Sequence, residues 1–292
     1  MADHINGARR EDEFYIGWQS TAPRSFTMQV RKVLIALAVG CVTISIALAI
    51  SQKKSGTGVF EFGVLTEING IYFNTPVPNI KVVKGKDVFG NLNHLTIPLV
   101  GYGKHGADGI IDDIEKKKNI SVHGKQITIK GTLLYNDGKT LMQIDANDEP
   151  ISNVGTQADA ALFAVQKELG IQTIKGEIID PKCYFGVMKP GEGKAHKDCA
   201  IRCILGGIPP VFHVMNEKGE SNYYLIVGPN GEKMNAALKN YVAEPVTIRA
   251  RVIQSDDWIV LHIQDTKDIR PYSYIQTHLA RQALSCVVNC VK

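Results

Sequence analysis

The sequence lacks most of what marks an enzyme. There is no Walker loop, no G-x-S-x-G and no H-E-x-x-H. The absence of C-x-x-C-H removes haem attachment in its usual form. No long basic run exists and the formal charge is only +4, which speaks against nucleic acid as a partner. Aromatics make up 7% of the 292 residues, and cysteine is spent sparingly, with six in all. Hydrophobic residues at 44% and charged residues at 21% nevertheless describe a globular composition rather than a disordered one, long enough for two ordinary domains.

One long apolar run is present. Val33 to Ile50 carries no charge and is flanked by Arg31-Lys32 and Lys53-Lys54. At about 1.5 Å per residue it just crosses a hydrocarbon core of roughly 30 Å. Arg9, Arg10, Arg24, Arg31 and Lys32 precede it, whereas only Lys53 and Lys54 follow closely. The positive-inside rule therefore predicts a single-pass protein of the cytoplasmic membrane, with residues 1–32 in the cytoplasm and the remainder periplasmic or extracellular. A cleaved signal ending at Ala47-Leu48-Ala49 is the competing reading, but the polar lead is long for one. Cys41 reads as a small apolar residue of the bilayer helix, and Arg9-Arg10 lacks the context of a twin-arginine signal.

Two segments downstream read alike. Ile127–Ile144 lies over Val246–Ile263 without a gap, each a strand, a turn (Asp137-Gly138 or Asp256-Asp257) and a second strand. Pro98–Gly101 lies over Leu225–Gly228, and Gly63–Phe73 over Gly176–Gly186, which sets Cys183 opposite Gly70. The expectation is a mainly β protein in which an N-terminal transmembrane helix (33–50) precedes two tandem small OB-like β-barrels. These span 60–151 and 172–271, with a β-sandwich as runner-up. A helical linker is expected at 152–171, opened by the capping-box pattern Thr156-Gln157-Ala158-Asp159 and ended by Gly170. A C-terminal helix is expected at 272–292, with Cys286 and Cys290 one turn apart as a possible disulfide.

The chemistry concentrates in the second copy, which carries extra length holding Cys183, His196, Cys199 and Cys203. On a helix, His196, Cys199 and Cys203 stand at i, i+3 and i+7 and share a face. With Cys183 they form a Cys3His set suited to a zinc or copper ion. Asp180 is placed to orient His196, and Met188 to add a soft thioether. The same cysteines could instead staple a long loop as a disulfide, since exported thiols usually pair. A working redox pair at Cys199-x3-Cys203 is a third possibility. The remaining histidines are scattered, and Gly206-Gly207-Ile208-Pro209-Pro210 gives the loop a rigid exit.

The run Gly176-x3-Asp180-x2-Cys183 … His196-x2-Cys199-x3-Cys203 … Gly206-Gly207 resembles a module of uncharacterised bacterial envelope proteins, set on a small OB-like β domain. That resemblance implies an exported location and a Cys/His module. Together these features point to a membrane-anchored protein with a Cys3His metal site; no catalytic residue is read from the sequence, although a three-ligand metal with an open position would be catalytic in form. It would serve as an accessory or subunit of a membrane redox or metal-handling assembly with an envelope protein partner. The alternative is a non-catalytic interaction module whose cysteines form disulfides.

Overall fold

The computed structural model describes residues 22, 24–53, 58–86, 88, 92–145, 149–159 and 166–272. It divides into two compact units, residues 1–54 and 55–292. The expected C-terminal helix, with Cys286 and Cys290, lies outside the described residues.

Among the described residues the first unit is one helix, α1 (Arg24–Lys53), whose stretch Phe26–Ser51 is long and apolar enough to cross a membrane or to serve as a signal sequence. Its apolar side chains are exposed, and the Thr43 hydroxyl donates to the Val39 carbonyl (2.8 Å), so this hydroxyl needs no partner from outside the helix.

The second unit holds two closed five-stranded barrels. The first is built from β1 (Val59–Phe60), β2 (Thr66–Phe73), β3 (Asn79–Lys86), β4 (Leu92–Val100), α2 (Asp108–Lys118), β5 (Lys125–Asn136), β6 (Lys139–Ile144) and β7 (Ile151–Gln157). Its order β5-β2-β3-β4-β6 closes through β5–β6, while β1 and β7 add to β5. The second is built from β8 (Gln166–Ile179), α3 (Gly193–Leu205), β9 (Val211–Met215), β10 (Ser221–Val227), β11 (Pro245–Ser255), β12 (Trp258–His262) and β13 (Ile269–Pro271). Its order β11-β8-β9-β10-β12 closes through β11–β12, with β13 on β11. In each the third and fifth strands run parallel and the other barrel pairings antiparallel, which is the OB-like connectivity.

Alternation along the strands fills each barrel. Ile127, Ile129 and Leu133 turn inward from β5, and Ile111 and Ile114 of α2 close the end. Val246, Ile248, Ala250 and Val252 turn inward from β11, with Leu238 and Val242 covering the base. On α3, Ala200 and Ile204 pack on this second core, one turn apart, which rolls the neighbouring positions toward the first barrel.

Pairing registers relate the two barrels residue by residue. Leu99 pairs with Met142 and Ile226 with Leu261, in keeping with the sequence match of those strands. The first-strand match is corrected. Gly70 pairs with Ile127 and Gly176 with Val246, so Gly70 corresponds to Gly176, and Cys183 lies beyond the strand. Residues 180–210 stand where the first barrel has only the connection 74–78. The expected helical linker is also corrected at both ends, its middle at residues 160–165 lying outside the described residues. Thr156 and Gln157 end β7, and Leu169 and Gly170 lie within β8. Leu169-Gly170 oppose Val252 alone in a bulge, so Gly170, at φ +79°, serves the strand rather than a helix end. Ladder hydrogen bonds to β5 and β11 here outweigh a local capping signal.

The barrels dock by exchanging hairpin turns. The β11–β12 turn of the second reaches the first, where Asp256 Oδ2 lies 2.6 Å from Lys81 Nζ. Asp257 Oδ1 accepts the Thr96 N–H (2.9 Å), and Trp258 Nε1 donates to the Thr96 carbonyl (2.9 Å). The β5–β6 turn of the first reaches the second, where Tyr223 donates its hydroxyl to Asp137 Oδ2 (2.7 Å) and accepts from Asn136 Nδ2 (3.2 Å). Between the turns, Lys139 donates to the Asp257 carbonyl and lies over the Trp258 ring, 4.7 Å from its centroid. Leu134, Leu141, Val211, Leu225, Trp258 and Val260 form the apolar centre of the interface.

Because Lys81 is only 3% exposed, Asp256→Ala leaves an ammonium buried without its counter-ion. The expected loss of stability is about 3–5 kcal/mol, read from denaturant unfolding of the full chain, and the double substitution Lys81→Met with Asp256→Asn, which keeps a residue suited to the φ of 51° at this turn, should recover most of it. A loss below about 1 kcal/mol for Asp256→Ala would show that the docked turn does not depend on this pair.

Candidate metal centre

The 180–210 insertion is shaped by its own local contacts. β8 ends at Ile179 and delivers Asp180, fully buried, whose Oδ1 accepts the Lys182 N–H (3.0 Å). A π-helical turn over Cys183–Val187 follows and points the Cys183 side chain inward. The start of α3 is tied back by Glu177, whose Oε1 accepts the Gly193 N–H (2.6 Å). Burial raises the Glu177 carboxyl above the usual range. After α3, the Ile208 N–H donates to the Cys203 carbonyl, and Asn235 Nδ2 donates to the carbonyls of Ile204 and Ile208 (2.7 and 2.8 Å).

These constraints bring the expected ligands into two overlapping triplets. Ligand atoms of Cys183, His196 and Cys199 all lie within 4.8 Å of one another, as do those of Asp180, Cys183 and Cys203. Cys183 belongs to both. The four Cys/His residues thus gather at one place, with Cys203 on the Asp180 side. Cys183, Cys199 and Cys203 are unpaired thiols, packed with Val100 and Ile208. Met188 is 45% exposed and not enclosed with the thiols, in contrast to the thioether role expected of it. Cys41 lies exposed on α1.

Asp180 also departs from expectation. Its Oδ2 is buried without a hydrogen-bond partner and faces the thiols rather than bonding to His196. His196 Nε2 is likewise buried and unpartnered. Leaving such atoms unsatisfied costs on the order of 1–3 kcal/mol each, so a polar or cationic partner would stabilise the cluster.

Two lysines that sequence reasoning passed over complete the surroundings. Lys104, from the β4–α2 loop of the first barrel, places Nζ 2.9 Å from Cys199 Sγ and 3.7 Å from Cys203 Sγ. Lys182 donates to the carbonyls of Gly101 and Gly103 in the same loop (both 2.8 Å). The loop can approach because the Gly106 N–H donates to the Gly206 carbonyl (2.9 Å), and a Cβ on Gly206 would strike the Lys104 carbonyl. The Gly101-x-Gly103-x-x-Gly106 spacing was the available signal of a close backbone approach, but nothing in it pointed to the cysteines.

The cluster's electrostatics follow from burial and from these neighbours. The hydrogen bond to Cys203, together with burial and Asp180, raises the Cys183 thiol far above the usual range. The same hydrogen bond lowers Cys203. Cys183 thus holds its proton more tightly than Cys203 does. The Cys199 hydrogen bond raises the Lys104 ammonium, and burial lowers that of Lys182. Burial also holds the His196 imidazole below its ordinary value, so it is neutral and has a lone pair to offer.

No protein-family model matches the chain, and no curated protein does either.

The lowered His196 value fixes a pH dependence. The unfolded chain takes up a proton near pH 6.5, which the folded chain resists until a lower pH, so metal-free stability is complete above about 6.5 and falls below it. In chelator, the drop in stability between about pH 7.5 and about pH 5.5 should be smaller in His196→Gln than in the parent. Equal drops would mean that burial does not hold this imidazole neutral.

Proposed function

We propose that this chain is a membrane-anchored protein that binds one zinc or copper ion. Cys183, His196 and Cys199 would hold the ion, with Cys203 as the fourth ligand. The observation that carries the reading is the meeting of the Cys183 and Cys199 sulfurs and one His196 ring nitrogen inside 4.8 Å, with the thiols unpaired and the His196 Nε2 buried without a partner. Thiolate and imidazole donors suit these ions, and a bound cation would satisfy atoms that are otherwise orphaned. Lys104 would offset part of the negative charge that two or three thiolates bring to the ion. The unpaired thiols favour a metal over a stapling disulfide.

The anchor reading rests on α1 and on the excess of Arg and Lys before it. It would place both barrels outside the cytoplasm, where reduced thiols persist best when bound to a metal. In that setting the protein would act as an accessory or subunit of a membrane redox or metal-handling assembly, with the exposed barrel surfaces free for a protein partner.

Elemental analysis of the full chain in detergent, purified without chelator, tests the metal. About one zinc or copper per chain is expected, with thiols that alkylate only after chelation. Cys199→Ser and Cys183→Ser should lower the metal content by tenfold or more, while Met188→Leu leaves it unchanged. Absence of metal, with thiols that appear only after reduction, would overturn the reading in favour of a disulfide staple.

A further inference from the structure

The two ligand triplets of the metal centre meet at one residue. Cys183 belongs to the set with His196 and Cys199 and also to the set with Asp180 and Cys203. Five donors therefore surround a shared sulfur, whereas the single ion proposed above takes four. Asp180 is left over. Its side chain is fully buried, Oδ1 accepts the Lys182 N–H, and Oδ2 has no hydrogen-bond partner. His196 Nε2 is the matching orphan of the other triplet, on a side chain only 3% exposed. Each triplet thus holds one buried polar atom that a cation would satisfy. A thiolate keeps lone pairs after binding one ion, so the Cys183 sulfur can serve two.

Charge sets the order of filling. Three thiolates and the Asp180 carboxylate bring four negative charges. One divalent ion, with the ammonium groups of Lys104 beside Cys199 and of Lys182 near Asp180, Cys183 and Cys203, balances them. The one-ion state is therefore the one expected on isolation, and a second ion enters on added metal. Lys104 is exposed, so its ammonium can turn to water when that ion arrives.

From this geometry we infer that the cluster holds a second divalent ion on Asp180, Cys183 and Cys203, with the Cys183 thiolate bridging it to the ion on Cys183, His196 and Cys199. The inference rests on the metal reading above. With one ion bound, Cys203 closes its shell; with two, Cys203 serves the second. A carboxylate beside two thiolates suits zinc better than copper(I), which favours soft donors throughout.

The test uses the full chain in detergent, stripped with chelator under reductant and titrated with cobalt(II), then with zinc. Two ions per chain should bind, the second with a dissociation constant below about 10 µM. The cobalt spin signal should rise with the first equivalent and fall with the second, because a shared thiolate couples the two spins. Asp180→Asn keeps an oxygen for the Lys182 N–H, so it should retain the first ion while the second binds at least about tenfold more weakly. A parent chain that stops at one ion overturns this inference and leaves the single-ion reading standing. Two uncoupled cobalt ions, or a second ion held equally well by Asp180→Asn, overturn it as well. Absence of any bound metal overturns both readings.

Discussion

Each barrel lays its hairpin turn against the second and third strands of the other, and the surroundings of the Cys/His cluster depend on that exchange. The Asp256–Lys81 pair, with the Asp257 and Trp258 bonds to Thr96, holds one turn. The Asp137–Tyr223 bond holds the other. Both sets are largely buried, so the attachment is strong only while its partners remain matched. With the barrels fixed in this way, the 101–106 loop of the first comes against the insertion of the second. Lys104 then reaches Cys199, and Lys182 reaches the carbonyls of Gly101 and Gly103. The cluster's ligand atoms all lie on the second barrel, and docking of the first adds the Lys104 charge beside them.

The insertion does two jobs with one stretch of chain. Its first half, through Tyr184 and Phe185, adds aromatic area to the interface between the barrels. Its second half, α3, turns Ala200 and Ile204 to the core of its own barrel and His196, Cys199 and Cys203 to the junction. Cys183 lies between the halves and belongs to both ligand triplets. The rigidity of this arrangement comes from backbone contacts at Gly206 and from the Asn235 hydrogen bonds, so the unsatisfied His196 and Asp180 atoms are not free to turn toward other partners.

Much of the fold was legible because strand alternation and hairpin turns are local signals. Ile127–Ile144 and Val246–Ile263 each become a strand pair joined at the expected Asp turn. The first strand was misregistered. Gly63 and Gly70 each open a short apolar run, and sequence alone gives no reason to prefer one over the other as the counterpart of Gly176. Only the cross-strand hydrogen bonds to β5 and β11 select Gly70. The ends of the expected linker helix were misread for a different reason. Thr156 and Asp159 satisfy a helix-start pattern, but pairing of β7 to β5 and of β8 to β11 satisfies more backbone groups than a short isolated helix would. At the site, the ligand types and the shared face of α3 were visible in the spacing. Lys104 was not, since it is 95 residues from Cys199 and only docking of the barrels brings them together.

X-ray absorption at the metal edge, on protein isolated without chelator, tests the account's central claim most directly. The cluster predicts a mixed shell with two or three sulfur atoms at about 2.3 Å and a nitrogen at about 2.0–2.1 Å if the ion is zinc, and sulfur as the majority ligand for either metal. A shell of nitrogen and oxygen alone would contradict it and place the ion away from Cys183 and Cys199.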